Sequence, residues 1–241
     1  MGVFDLLKGG KQKKLDSQLI DAIHANDIAA VMEALELGAS CDAKDAAMPA
    51  IVMASGNQQQ EIVAALISYG ADVNAGGANK EGTVTRLTAL TVSAANGSTE
   101  VAAQLIAAGA KVDMQDSKGM TALMIAAAHG KSDVVELLLR RGADVDKKSD
   151  TGYTSLMYAT DSGQLGTIRV LLARGAVVEC KDKQNTTPIM LAAQHGHIEI
   201  ARLLLQHGAD KNFKGLHGKN AIDFARTHTN TEVLDLFLTR N

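Results

Sequence analysis

Aromatic residues are scarce in this 241-residue chain, which has no tryptophan, four phenylalanines and three tyrosines. Its 46% hydrophobic content is therefore supplied mainly by alanine, leucine, isoleucine and methionine. Such side chains suit closely stacked helices better than a β-sandwich. Proline is also scarce, with two residues in the whole chain, which disfavours long irregular segments.

A large charge excess is absent as well, since the formal net charge is −3. A general nucleic-acid-binding protein would normally carry a clear basic excess, so no nucleic-acid partner is expected. No apolar run approaches the roughly 18 residues of a membrane helix. The amino terminus lacks the apolar core of a signal peptide, and we therefore expect a cytoplasmic protein.

Only two cysteines are present, Cys41 and Cys180. If the repetition described next sets the spacing of stacked helices, they lie about 35–40 Å apart at roughly 8–10 Å per layer. A disulfide requires Cα atoms within about 7 Å, so the two residues are not expected to pair. Free thiols agree with a reducing compartment.

Internal repetition organises most of the chain. A Gly-Ala pair ends a leucine- or isoleucine-rich run six times, and the intervals between the glycines are 32, 39, 33, 33 and 33 residues. These glycines are Gly38, Gly70, Gly109, Gly142, Gly175 and Gly208. Three consecutive intervals of 33 indicate a repeat architecture. The interval of 39 indicates a six-residue insertion within 75–87, AGGANKEGTVTRL.

One repeat is most complete in the stretch 119–144, GMTALMIAAAHGKSDVVELLLRRGAD. Thr121 precedes an apolar-periodic run, and its hydroxyl can cap a first helix that begins at position 122. His129-Gly130 ends that helix, and a second apolar run ends at Gly142, which can adopt the left-handed conformation. Neither helix is long enough to be stable alone, so each must bury its apolar face against a neighbouring copy.

These residues resemble the ankyrin repeat, whose unit of about 33 residues reads roughly D-x-x-G-x-T-P-L-H-x-A-A-x-x-G-H and then E-I-V-x-L-L-L-x-x-G-A-D-V-N. One repeat matches it at Asp116, Gly119, Thr121, Leu123, Ala126, Ala127, Gly130, Val134, Val135, Leu137 to Leu139, Gly142, Ala143, Asp144 and Val145. A later repeat matches it at Thr187 to Ile189, Ala192-Ala193, Gly196-His197, Glu199-Ile200, Leu203 to Leu205 and Gly208 to Asp210. The resemblance implies an all-α solenoid of stacked helix-turn-helix units with β-hairpin-like loops.

The resemblance covers about 15–241 and implies the following division of the chain. A tail or short amphipathic helix at 1–14 precedes an amino-terminal capping repeat at 15–44, full repeats at about 45–77, 83–115, 116–148, 149–181 and 182–214, and a carboxy-terminal capping repeat at 215–241. Polar residues in both terminal repeats fit capping units, whose outer faces must meet water.

One departure from the family pattern concerns the histidine of its T-P-L-H element. That position holds Val52, Thr91, Met124, Met157 and Met190. In the family this histidine helps to tie neighbouring loops by hydrogen bonds, so loop rigidity here must come from another source or be reduced. The three methionines form either an adaptable binding ladder on the inner helices or a filling of the space between repeats.

No residue pattern indicates catalysis, a cofactor or a metal. His129 and His195 share one register but lie two repeats apart, roughly 16–20 Å, which is too far to share a metal. His207 and His217 flank one loop, but no cysteine or carboxylate spacing completes a site. Neither cysteine has a histidine in register, and Gly76-Gly77 does not continue as a phosphate loop. We therefore expect no enzyme and no cofactor.

Partner binding is expected at the loop tips and at the ends of the inner helices, where the repeat pattern leaves residues free to vary. The candidate residues are Ser117, Lys118, Met120, Met124, His129, Asp150, Thr151, Tyr153, Asp161, Ser162, Lys183, Gln184, Thr186, Gln194 and His195. Met120 and Tyr153 are the foremost candidates because binding hot spots are enriched in aromatic anchors. Alternatively, these two side chains pack on each other across the loops.

The expected function is therefore that of a monomer that binds another protein through its concave loop and inner-helix surface. The tips carry both signs of charge, so they indicate neither an acidic nor a basic target. The alternative is a peripheral membrane-surface adaptor anchored by residues 1–14, where a small apolar cluster precedes several lysines. The other interpretation of this segment is a short helix or a frayed tail, and we expect no membrane contact.

Overall fold

The structure, a computed structural model, describes residues 3–78 and 84–239, and it describes side chains for 10–77, 87–215 and 217–239. Within these ranges the chain is mainly helical, in agreement with the expected all-α repeat fold. Its contacts divide it into two compact units, unit 1 (Met1–Val112) and unit 2 (Asp113–Asn241). Both units consist of helix pairs joined by short turns.

Unit 1 contains three such pairs and two short hairpins within its described residues. Its elements are α1 (Val3–Ala25), α2 (Ile28–Glu36), β1 (Lys44–Asp45), β2 (Met48–Pro49), α3 (Ala50–Gly56), α4 (Gln60–Ser68), β3 (Gly77–Ala78), β4 (Val84–Leu87), α5 (Ala89–Asn96) and α6 (Thr99–Ala107). Strand β1 pairs with β2 and β3 pairs with β4, both antiparallel. Helix α1 continues without a break through residues 14 and 15. Residues 79–83 of the predicted insertion lie outside the described residues.

Unit 2 contains four helix pairs in its described part. Its elements are α7 (Ala122–Ala128), α8 (Ser132–Arg140), α9 (Ser155–Asp161), α10 (Leu165–Ala173), α11 (Pro188–His195), α12 (Ile198–Gln206), a short 3-10 helix (Leu216–Gly218), α13 (Ala221–Thr227) and α14 (Thr231–Leu238). The first helices α7, α9, α11 and α13 pack in succession, and the second helices α8, α10, α12 and α14 form a parallel row beside them. Each pair therefore buries its apolar residues against the next pair.

The predicted helix boundaries are present. The Thr121 hydroxyl accepts a hydrogen bond from the N–H of Met124 at 3.3 Å and caps α7. The second helix of the same pair is followed by Gly142, whose φ is 84°. The turn between the two helices of a pair also contains a residue with positive φ. These residues are Asn26, Gln58, Gly97, Gly130, Gly163, Gly196 and Thr229.

The methionines that replace the family histidine lie in the core. Met124 and Met157 have no exposed surface, and Met190 is 1% exposed. They fill the space between successive first helices, as the second interpretation of these residues held. Met124 therefore does not belong to an accessible binding surface, because the neighbouring helices cover its side chain completely.

Candidate partner-binding surface

The loops that precede the first helices of unit 2 are hairpin-like. In three successive loops a backbone N–H donates to the carbonyl oxygen four residues later. These bonds run from Asp116 to Met120 at 2.9 Å, from Ser149 to Tyr153 at 2.9 Å and from Asp182 to Thr186 at 3.2 Å. The loops expected from the repeat pattern are thus present in this unit, with the predicted tip residues between or beside these bonds.

Backbone hydrogen bonds join the tips of neighbouring loops. The N–H of Asp150 donates to the Lys118 carbonyl at 3.0 Å, and the N–H of Lys183 donates to the Thr151 carbonyl at 3.2 Å. Glycine permits this close approach, because a Cβ at Gly119 would lie 2.7 Å from the Asp150 nitrogen. The tips are therefore held at a fixed spacing.

Side chains at the bases of the loops provide a second set of ties. The Gln115 amide donates to the Lys148 carbonyl at 3.0 Å, and the Lys148 ammonium donates to the Lys181 carbonyl at 2.8 Å. Lys181 in turn places its Nζ 3.7 Å from the centroid of the Phe213 ring, a cation–π contact. These contacts supply loop rigidity that the missing histidines would otherwise provide.

Acidic residues beyond the second helices form a third set of ties. A carboxylate of Asp113 accepts from the N–H of Asp144 at 3.2 Å, and Asp146 accepts from Val177 at 2.9 Å. Glu179 continues the series by accepting from the N–H of Asp210 at 2.8 Å. The bonds of Asp146 and Glu179 each join one helix pair of unit 2 to the next, so this stack is connected along its loops as well as through its core.

The loop of the repeat at 149–181 has an unusual interior. In the neighbouring loops a carboxylate accepts two backbone N–H groups, for example Asp182 Oδ1 from Gln184 at 2.8 Å and from Thr186 at 2.7 Å. Here the equivalent residue is Ser149, whose hydroxyl lies 2.9 Å from Thr151 Oγ1. It also accepts a hydrogen bond from the Tyr158 hydroxyl at 3.2 Å.

The Tyr158 ring packs against that of Tyr153. The ring centroids are 5.2 Å apart and the planes are inclined at 56°. Burial, together with the negative charges of Asp161 and Asp182, raises the pKa of Tyr153 to about 12. The aromatic partner of Tyr153 thus lies within its own repeat.

The candidate residues differ in exposure. Ten of them are exposed: Ser117, Lys118, His129, Asp150, Thr151, Asp161, Ser162, Lys183, Gln184 and His195. Four are half-buried: Met120, Tyr153, Thr186 and Gln194. Only Met124 among the candidates is buried, since the other fourteen all retain accessible surface.

An open concavity of about 560 Å³ brings part of this set together. Its lining residues are Asp150, Thr151, Tyr153, Tyr158, Asp182, Lys183 and Gln184. Sequence reasoning missed Tyr158 and Asp182. An aromatic residue at position 158, where the adjacent repeats place Ile125 and Leu191, was the available signal in a chain with so few aromatics.

A family model described as ankyrin repeats (3 copies) matches residues 19–116, 90–182 and 156–241. The chain belongs to the ankyrin repeat family. Ankyrin repeats are generally protein–protein interaction modules, and proteins of this family are typically non-enzymatic. No curated protein gives a significant sequence match to this chain.

The histidines of the ankyrin repeat surface make local contacts. His129 donates from Nδ1 to the Ile125 carbonyl at 2.9 Å, within its own helix. His195 Nε2 lies 3.0 Å from Asp161 Oδ1, which joins the ends of α9 and α11. Across the described residues, no group of three or more histidine, cysteine, aspartate or glutamate side chains is arranged to hold a metal ion.

The membrane-adaptor alternative concerns residues 1–14 of the ankyrin repeat protein. The side chains of residues 1–9, which include the apolar cluster, lie outside the described residues. In the part of the chain that is described, no helix combines the length and apolarity needed to cross a bilayer. Anchoring by this segment stays a prediction, which liposome flotation of the full-length and 15–241 proteins would test.

Proposed function

We propose that this ankyrin repeat protein is a non-enzymatic module that binds another protein through the tip surface of unit 2. The tip surface comprises the exposed loop residues and the two foremost candidates beside them. Its members are Ser117, Lys118, Met120, Asp150, Thr151, Tyr153, Lys183 and Gln184.

The single observation that carries this proposal is the rigid presentation of side chains that the stack does not use. The backbones of Asp150 and Lys183 are fixed by bonds to the preceding loop, while their side chains are exposed. A surface ordered before binding loses less conformational entropy when a partner docks. Half-buried Met120 and Tyr153 add apolar area of the kind that anchors interfaces.

The ends of the first helices extend the same surface. Asp161, Ser162 and His195 are exposed there, and Gln194 is half-buried. The contact between His195 and Asp161 fixes two of these side chains relative to each other. A partner that contacts the tips can therefore also contact these helix ends.

Affinity capture followed by mass spectrometry tests the proposal. The full chain is compared with Met120→Ala, Tyr153→Ala and the double variant Lys118→Ala/Lys183→Ala. Arg202→Ala on the second-helix row serves as the control, because Arg202 is exposed and its ion pair is with Glu199 in the same helix. We expect a partner that is lost with the tip variants and kept with the control, and survival of every partner in all tip variants refutes the proposal.

The proposal includes a monomeric protein in a reducing, cytoplasmic environment. Cys41 and Cys180 are both free thiols, which agrees with such a compartment. Light scattering coupled to size-exclusion chromatography would test the monomeric state, for which a mass near the chain mass of 25.3 kDa is expected.

A further inference from the structure

The concavity around Tyr153 is built from residues that stacking does not require. Tyr153 and Tyr158 are two of the three tyrosines of the chain, and both belong to a single repeat. The register of Tyr153 holds Met120 and Thr186 in the adjacent repeats, so the fold tolerates other side chains there. An aromatic pair in this one loop therefore calls for an explanation other than stability.

The aromatic pair gives the concavity a defined wall. The hydrogen bond from the Tyr158 hydroxyl to Ser149 fixes the Tyr158 ring. The Tyr153 ring packs against the Tyr158 ring, with 5.2 Å between the centroids. Tyr153 remains half-exposed, so part of its surface faces the open space. The negatively charged face of an aromatic ring attracts a cation placed over it.

The charge around these rings has one predominant sign. Asp150 and Asp182 line the concavity, and Asp161 is close enough to Tyr153 for its charge to act on the phenol. Lys183 is the one basic residue among the described lining residues, and its exposed side chain is long enough to turn towards solvent. Two lining carboxylates against one lining ammonium, with the Asp161 carboxylate nearby, leave a negative potential at the rings.

Aromatic faces beside carboxylates are the environment that a guanidinium or ammonium group prefers. Its cation can lie over a tyrosine ring while its N–H groups donate to carboxylate oxygens. We propose that the Tyr153 concavity receives a basic side chain, arginine or lysine, from the partner protein. This proposal rests on the proposed function and names the chemistry of the contact at the tip surface.

Titration of the ¹⁵N-labelled full chain with the peptide acetyl-Gly-Arg-Gly-amide tests this proposal by nuclear magnetic resonance. The matched control peptide contains citrulline, which has nearly the shape of arginine but no charge. We expect saturable shifts in residues 149–161 and 182–186, with a dissociation constant of about 1–10 mM. The citrulline peptide is expected to bind at least about fivefold more weakly, because it lacks the cation.

Variants that import the residue of a neighbouring repeat separate binding from folding. Tyr153→Thr copies Thr186, Asp150→Lys copies Lys183, and Asp161→Gln copies Gln194, so each new residue already occurs in that register. We expect Tyr153→Thr and Asp150→Lys to weaken arginine-peptide binding about fivefold or more, and Asp161→Gln to weaken it about twofold.

Arg202→Ala on the second-helix row lies outside the tip surface and is expected to leave peptide binding unchanged. Circular dichroism melting of each variant confirms that the fold is intact. Equal binding of the arginine and citrulline peptides, absence of saturable shifts, or full binding by Tyr153→Thr each overturns the proposal.

The outcome also distinguishes this proposal from the broader one. Suppose that a captured partner is lost with Lys118→Ala/Lys183→Ala and that the arginine peptide does not bind. The proposed function then stands, and only the proposal of a basic side chain in the concavity is refuted. If the arginine peptide binds but no partner is lost in any tip variant, the concavity still receives a basic side chain and the proposed function is refuted.

Discussion

Replacing Gln58 by glycine should stabilise unit 1, because this exposed residue occupies a left-handed turn. Gln58 lies between α3 and α4 with a φ of 59°, at the position where the next helix pair has Gly97. A non-glycine residue in the left-handed region costs about 1–2 kcal/mol. Glycine removes that strain but raises the entropy of the unfolded chain, which costs about 0.5–1 kcal/mol. The net expected gain in the free energy of unfolding is therefore about 0.5–1 kcal/mol.

Thermal and urea unfolding followed by circular dichroism at the helix band measures this gain. For a chain of this size, about 0.5–1 kcal/mol corresponds to a rise of roughly 1–4 °C in the midpoint. The reciprocal variant Gly97→Gln is the control, since it introduces glutamine at a φ of 81° in the same unit and should lower the midpoint by a similar amount. An unchanged or lowered midpoint for Gln58→Gly would refute the assignment of strain to this turn.

Three further predictions concern groups that are buried or half-buried. Burial raises the pKa of the Cys180 thiol to about 11, so iodoacetamide at pH 8 should alkylate Cys41 and spare Cys180 until the chain is unfolded in urea, as peptide mass spectrometry would show. The Ser155 hydroxyl is buried without a hydrogen-bond partner among the described residues, so Ser155→Ala should raise the free energy of unfolding by about 1 kcal/mol in the same urea assay. The folded pKa of Tyr153, about 12, exceeds its ordinary value of 10.0, so its contribution to stability is complete below pH 10 and disappears as the pH rises towards 12. Absorbance titration near 295 nm should show a late ionisation that is missing in Tyr153→Thr.

Helix boundaries could be predicted from the sequence because their determinants are local. The cap at Thr121 involves a backbone N–H three residues away, and the stop at Gly142 depends on the freedom of glycine itself. Repetition at 33 residues then predicts the stacking without knowledge of any distant contact. These features account for most of the architecture.

The sequence left two interpretations of Met124, and the local pattern alone could not decide between them. Helix α7 is seven residues long, and six of them are buried, so it has almost no solvent-facing side from which a periodic pattern could arise. Helices α8 and α9, which lie further along the chain, pack against it. In α7 the accessible surface lies at its carboxy-terminal end, where Ala128 is half-buried and the following His129 is exposed.

The substitutes for the family histidine were also beyond prediction. Lys148 donates to a carbonyl oxygen 33 residues further along the chain. Because nearly every residue has such a backbone acceptor, the sequence does not indicate which one is used. The Tyr158 hydroxyl meets Ser149 only once the loop and the helix have folded against each other. A serine at position 149 and a tyrosine at position 158 differ from the residues of the adjacent repeats, but only the folded structure shows that the two side chains meet.

The backbone bonds between loop tips bear on how this surface can change over time. Asp150 and Lys183 contribute only their N–H groups to these bonds, so any residue except proline can form the same contact. Substitutions there leave the spacing of the loops intact, and surface changes of this kind usually alter stability by less than about 0.5 kcal/mol. New binding preferences can therefore be selected, in nature or by directed evolution, through single replacements on an unaltered frame.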